Sequence, residues 1–423
     1  MENSKPIQNE HKEQPRTERS WTLPEPILKI KKRMIDSRIP WILVGVFVGL
    51  LLAKALVIYA LAWMLDAGLI PYIYSNPYSA TDISQTSDLF LALANRWDSI
   101  HFIEIARNGY PLGVSNDILF AFAPIYPMMI AGLNYVVGNL YVSGAIVSNV
   151  FYFLAVISFY KVARFYMDYD YACLATLGFG LFPTFLAYGT VAYSEAPYLA
   201  FAISSWYFFK KEQYLACSIL TTLAILIRYI SALLIFIYGI IILWNMIKKR
   251  EEGLPLAEVF DLRLLWFSIP LVCVVAFFTY LWSLTGSFFV AFDAHAFFHD
   301  RLSTPLHQFR FFFEGFFTEI NPGVEPMILA VLRYMFTLPF LALAIYLVKD
   351  DTELGLYGLV FMWFTLSMEG ISGIASPRIM LSAWVALLAF RNRIDKGLYL
   401  VLCVMYLVAG IWVIYQFQRT FFA

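Results

Sequence analysis

This sequence is poor in charge. Charged residues make up 14% of 423, against 61% hydrophobic and 18% aromatic, and the mean hydropathy is +0.68. A soluble domain carries about 25% charged residues, so that class is excluded and an all-α polytopic membrane protein is expected. Cysteine is scarce as well. Cys173, Cys217, Cys273 and Cys403 all sit inside apolar segments without metal-ligand spacing, so they read as small core residues, not as disulfides or ligands. Net charge is zero, from 30 basic and 30 acidic residues, so only its distribution along the chain is informative. No nucleic-acid partner is expected. No internal repeat is visible, and the first apolar run begins near Ile39 behind a polar tail, without a secretory signal pattern.

The tail, residues 1–38, is rich in Glu, Gln, Lys, Pro and Arg and cannot bury a core, so disorder is expected there. It ends in the basic cluster Lys29 to Arg38, which the positive-inside rule places in the cytoplasm. Anionic membrane lipid is a possible contact for that cluster. The remainder, 39–423, reads as one transmembrane domain with long outer loops at 66–119 and 285–325. A first span over Pro40 to Leu65 is long enough for a core of about 30 Å. Lys54 inside it is expected to face a partner helix or to snorkel. Lys161 and Arg164, Lys210 and Lys211, Lys248 to Arg250, and Arg391 to Lys396 all read as cytoplasmic. That parity lets only one of Phe120–Val137 and Tyr141–Tyr160 cross, and the first, with Pro124 and Pro127, is taken as partial or surface-lying.

Further spans are expected over Tyr171–Thr190 (interrupted at Pro183), Pro197–Phe209, Arg263–Leu284, Met327–Val348, Leu354–Ile371, Pro377–Phe390 and Gly397–Phe417. The run Tyr214–Met246 carries Arg228 near its middle. One tilted helix would place that guanidinium near the bilayer centre at about 2.5–3.5 kcal/mol. Two shorter helices meeting at Arg228 keep both flanking basic loops on one side, and this hairpin is preferred. The total is about eleven spans, amino terminus inside and carboxyl terminus outside.

The most polar passage between apolar regions is Asn95-Arg-Trp-Asp-Ser-Ile-His-Phe-Ile-Glu-Ile-Ala-Arg-Asn-Gly-Tyr110, followed by Phe120-Ala-Phe-Ala-Pro-Ile-Tyr-Pro127. On a helix, Asp98 and His101 are i,i+3 neighbours, as are His101 and Glu104. That arrangement suits a surface helix with a carboxylate and an imidazole turned to one site; a solvated amphipathic connector has the same spacing. The topology brings Asp98, His101, Glu104, Glu195, Arg228, Glu369 and Arg378 to one membrane face. A carboxylate or histidine can take a proton from an acceptor hydroxyl, and arginines can hold a phosphate by paired hydrogen bonds. The alternative is structural pairing of Arg228 with Glu195 and of Arg378 with Glu369. His295, His299, His307, Asp293 and Asp300 in the second loop match no established ligand motif, so no metal is expected.

Arg96-Trp-Asp-Ser-Ile-His-Phe and Ile105-Ala, through Gly109-Tyr110, together with Phe120 to Pro127, resemble the signature of the GPI mannosyltransferase II (PIG-V) family. Phe182 to Glu195, Leu223 to Ser231 and Ser376 to Met380 are similar in kind. The middle one has Ile227-Arg228-Tyr229 where that family usually reads Thr-Arg and a small polar turn. The resemblance spans about Ala92 to Met380. It implies a GT-C bundle with surface helices and the active site in the first outer loop, extracytoplasmic (luminal or extracellular). It further implies transfer of mannose from a polyprenyl (dolichyl) phosphate donor to a lipid-linked or glycan acceptor, with inversion. In that scheme Asp98, from the Trp97-Asp98 motif, is the catalytic base. His101 and Glu104 position the acceptor, and Arg228 and Arg378 are candidates for the donor phosphate, Arg378 slightly preferred. No cofactor is needed beyond the lipid-phosphate sugar. A transporter or lipid flippase, or a non-catalytic subunit of a glycosylation complex, are the competing classes.

Overall fold

The computed structural model describes residues 40–69, 98–255, 259–298, 303–304, 324–368 and 376–419. The basic tail therefore lies outside the described residues. Helix α1, Trp41–Asp66, has 26 residues and is about 39 Å long, more than a bilayer core requires. Its buried residues Leu43, Phe47, Lys54 and Ile58 form one stripe, while Trp41, Leu52, Leu56 and Trp63 are exposed as lipid-facing residues would be. Phe47 presses on Gly180, where an added Cβ would lie 2.2 Å from its ring. Lys54 does not snorkel. It is buried, its Nζ lies 3.5 Å from the centre of the Tyr152 ring, and it has no hydrogen-bond acceptor among the described residues.

The short helix α2, Asp98–Asn108, leads to α3, Ile125–Val137, of 13 residues. Gly138, at φ +73°, ends α3, and Asn139 caps α4, Leu140–Tyr166, by accepting from the amides of Tyr141 and Val142. At 13 residues α3 reaches about 20 Å, shorter than a bilayer core. Helix α5, Tyr169–Gly180, stops, and α6, Pro183–Tyr188, restarts with proline in its first turn. Helix α7, Glu195–Lys210, is buried on nearly every side, as a helix apolar all round must be.

The break at Arg228 is real. Helix α8, Tyr214–Ile225, ends there, Arg228 is extended (φ −145°, ψ 120°), and a 3-10 turn, Tyr229–Ala232, begins α9, Leu233–Glu251. Tyr238 on α9 shares a 2.6 Å hydrogen bond with Ser205 and stacks on Phe209, whose ring Tyr214 also meets. Tyr238 thus brings α9 back towards α7, and α8 and α9 form a hairpin with its tip at Arg228. The Leu226 carbonyl at its tip accepts from the Ile125 amide at the start of α3, 2.9 Å away.

Helices α10, Ser268–Thr285, α11, Val324–Asp350, α12, Thr352–Ser367, and α13, Lys396–Arg419, complete the bundle. The expected span over Pro377–Phe390 is irregular. A four-residue turn, Ser376–Ile379, passes into a 3-10 segment, Met380–Leu388, with a non-helical Ala383 and every residue buried. Trp384 in it donates to the Tyr357 hydroxyl, 2.9 Å away, and an aromatic chain runs through Phe179, Phe159, Trp384, Tyr357 and Trp206. By length and composition, five helices among the described residues could cross a membrane. The other expected crossings fall on shorter or broken helices, or on α11, whose first residues have no described side chains.

One end of the bundle gathers the basic loops. Lys210 pairs with Glu353 at 2.6 Å, Arg391 with Asp350 at 3.0 Å, Lys396 with Asp170, and Asn392 donates to Asp168. Glu195 begins α7 and Lys210 ends it, so Glu195 lies at the opposite end, about 24 Å away.

Candidate active site

Four charged residues meet at the Glu195 end. Asp98 is the first residue of α2, and its Oδ2 accepts from Arg378 Nη1 at 2.8 Å. Arg378 Nε lies 3.2 Å from Glu195 Oε1, and the same oxygen accepts from Arg228 Nη1. The result is an alternating chain, Asp98–Arg378–Glu195–Arg228, contributed by four distant parts of the sequence. Glu195 is 5% exposed at its side chain and Arg378 13%, whereas Arg228 is 19% and Asp98 24% exposed. Asp98 and Arg228 thus form the accessible ends, and the shared Glu195 carboxylate is the interior joint.

Backbone breaks make this meeting possible. Arg228 sits on the extended residue of the hairpin tip, and Arg378 sits on the turn before the 3-10 segment. The guanidinium of Arg378 lies 5.5 and 5.6 Å from the ring centres of Tyr188 and Tyr193. Cation–π contact helps to hold a desolvated guanidinium. Sequence reasoning passed over these two tyrosines, although both lie in the stretch Phe182 to Glu195. Behind them Ser148 donates to the Tyr193 carbonyl at 2.9 Å, and its hydroxyl lies 2.7 Å from the Tyr126 hydroxyl.

His101, one turn after Asp98, stacks on Phe122 with ring centres 4.9 Å apart. Burial pushes its pKa below the ordinary 6.5, while the charges of Asp98 and Asp117 pull it back up. The neutral imidazole therefore supports the docking of α2 above the unfolded value of about 6.5, and that support is lost as pH falls through the lowered folded value. Hydrogen exchange across 98–108, corrected for intrinsic rate, should quicken between pH 7 and pH 5. His101→Phe should remove that pH dependence. If both proteins respond alike, the imidazole is not responsible.

The structure does not bring Glu104 into the cluster. Its carboxylate is about half exposed, accepts from Asn108 at 2.6 Å and lies 3.8 Å from Arg107. Six positions separate it from Asp98, a net helical turn of about 120°, which carries it round to the solvent side. Trp97, Glu369, His299, Asp300 and His307 lie outside the described residues. Among the described residues no three His, Cys, Asp or Glu side chains could hold a metal ion. The pairing of Arg228 with Glu195 is one the sequence allowed. The partners of Arg378 within the described residues are Asp98 and Glu195, acids from the first outer loop and from α7.

Fold and site together describe a helical, polytopic membrane protein with a compact charged site at one end of its bundle. The chain belongs to the mannosyltransferase (PIG-V) family, a family of membrane glycosyltransferases, whose model matches residues 56–283. None of the curated proteins is similar enough in sequence to count as a relative. Among solved structures, the chain is similar to the archaeal oligosaccharyltransferase AglB from Archaeoglobus fulgidus, in complex with an inhibitory peptide and a dolichol-phosphate. The identity is 13% and the TM-score 0.41, over 90% of this chain and 56% of that one. The chain thus spans little more than half the length of that protein.

Proposed function

We propose that this protein moves a mannose, or a similar hexose, from a polyprenyl or dolichyl phosphate to a hydroxyl of a lipid-linked or glycan acceptor, with inversion. The observation that carries the reading is Asp98, with one carboxylate oxygen held by Arg378 and the side chain still a quarter open. A base needs such an orientation and a remaining lone pair. The acceptor oxygen attacks the anomeric carbon while its proton passes to Asp98. The bond from that carbon to the phosphate oxygen breaks on the opposite face, and the electron pair leaves on the phosphate. Guanidinium groups facing that oxygen stabilise the charge as it develops.

His101 and, from the exposed side, Glu104 are assigned to the acceptor, and Trp97, beside the base, to substrate binding. Arg228 and Arg378 are assigned to the donor end, with Glu195 between them. No cofactor or metal is invoked. The basic loops gathered at the far end of the bundle favour an extracytoplasmic site by the positive-inside rule. The test is transfer of labelled mannose by the purified full chain in lipid nanodiscs. Polyprenyl-phosphate mannose should serve as donor and a nucleotide-linked mannose should not. Movement of lipid across vesicles without any sugar transfer would replace this reading with a flippase.

A further inference from the structure

The shared oxygen of Glu195 points to a role for that residue beyond pairing charge. We infer that Glu195 is a resident stand-in for the donor phosphate, a positioning residue that holds Arg228 when the site is empty and yields it when the donor arrives. The inference rests on the donor assignment above.

Three features support it. First, Glu195 uses one oxygen for both guanidiniums, while its buried Oε2 has no hydrogen-bond partner among the described residues. Each arginine therefore makes a single-point contact here, not the two-point fork that makes arginine–carboxylate pairs strong. Single-point contacts exchange readily when a fork becomes available, and a phosphate offers one.

Second, the two arginines are held unequally. Arg378 donates to Asp98 at 2.8 Å, lies 3.2 Å from Glu195 without a hydrogen bond to it, and lies against two tyrosine rings. Arg228 has Glu195 as its one ion-pair partner among the described residues, sits on an extended hairpin tip and keeps the greater exposure of the two. Arg228 is the arm that can turn to a new anion without breaking the link to Asp98.

Third, the four side chains balance one another, two arginines against two carboxylates. A phosphodiester adds one negative charge, and the least costly way to seat it is to take over the loosely held guanidinium. Glu195 then remains paired with Arg378, which continues to orient Asp98. This division of labour places Arg228 at the phosphate and Arg378 at the base, the reverse of the order favoured from sequence.

The experiment measures binding of a short-chain polyprenyl phosphate to the full chain in detergent, alongside donor KM, kcat and thermal melting. Glu195→Gln removes the competing charge and should tighten binding about tenfold, equivalent to about 1.4 kcal/mol, with a lower KM and a lower kcat. That gain should vanish when Arg228→Gln is added. Glu195→Asp, which withdraws the carboxylate by one methylene, should give a smaller gain and covers the case in which Glu195→Gln does not fold. If binding depends on Arg228 but neither Glu195 variant strengthens it, the stand-in role is overturned and the donor assignment survives. If the unaltered chain binds no polyprenyl phosphate, the donor assignment falls and this inference falls with it.

Discussion

Asp98→Asn is expected to fold and insert normally while sugar transfer drops by about 10²–10⁴-fold, the usual contribution of a general base. The amide keeps an acceptor oxygen for Arg378, so the 2.8 Å contact survives in weaker form and the melting temperature should change little. What is lost is the ability to take a proton from the acceptor hydroxyl. Turnover and melting must be read together, because a drop in both would only show that the chain from Asp98 to Arg228 had collapsed. Near-normal turnover with polyprenyl-phosphate mannose would remove Asp98 from the base position. His101→Ala should weaken transfer without abolishing it, since the imidazole stacks beside the site without closing it.

Arg378→Ala should be the more damaging change to the fold. It leaves the Asp98 and Glu195 carboxylates without their common partner in a site where Glu195 is 5% exposed. Removing one partner from a buried ion pair costs about 3–5 kcal/mol. Arg228→Ala should cost less, because Arg228 is more exposed and Glu195 keeps Arg378. Thermal melting of both variants in one detergent gives the order directly. Adding Asp98→Asn to Arg378→Ala should restore part of the loss, as relief of an unpaired charge requires. Equal melting of Arg378→Ala and the unaltered chain would mean that the guanidinium is not a structural tie, and would return it to the phosphate.

Features governed by local chemistry were legible in the sequence. The break at Pro183 follows from a ring that is welcome only in a first turn, and the break at Arg228 from a charge that does not belong in mid-span. The helix over Asp98 to Asn108 places Asp98 and His101 one turn apart, as their spacing requires of any helix there. Which acid meets which arginine was not. Asp98 and Arg378 are 280 positions apart, and nothing local marks Asp98 as a partner of Arg378. The irregular backbone of Met380–Leu388 was equally hidden, because its composition suits a buried helix as well as a buried 3-10 segment. Lys54 announced itself as anomalous, but its partner, a tyrosine face, carries no charge to search for.

That lysine also bears on how the protein is made. As α1 leaves the ribosome it carries an ammonium whose insertion alone costs about 2.5–3.5 kcal/mol at mid-membrane. The ring that receives it belongs to Tyr152, which is synthesised about a hundred residues later, at a rate of about 5–20 residues per second. For several seconds the first helix is therefore a marginal guest of the bilayer, and α4 arrives as its host. Assembly of the amino-terminal part is thus ordered in time. A nascent chain cut before residue 152 should hold α1 in the membrane less firmly than one cut after it, and Lys54→Leu should abolish the difference.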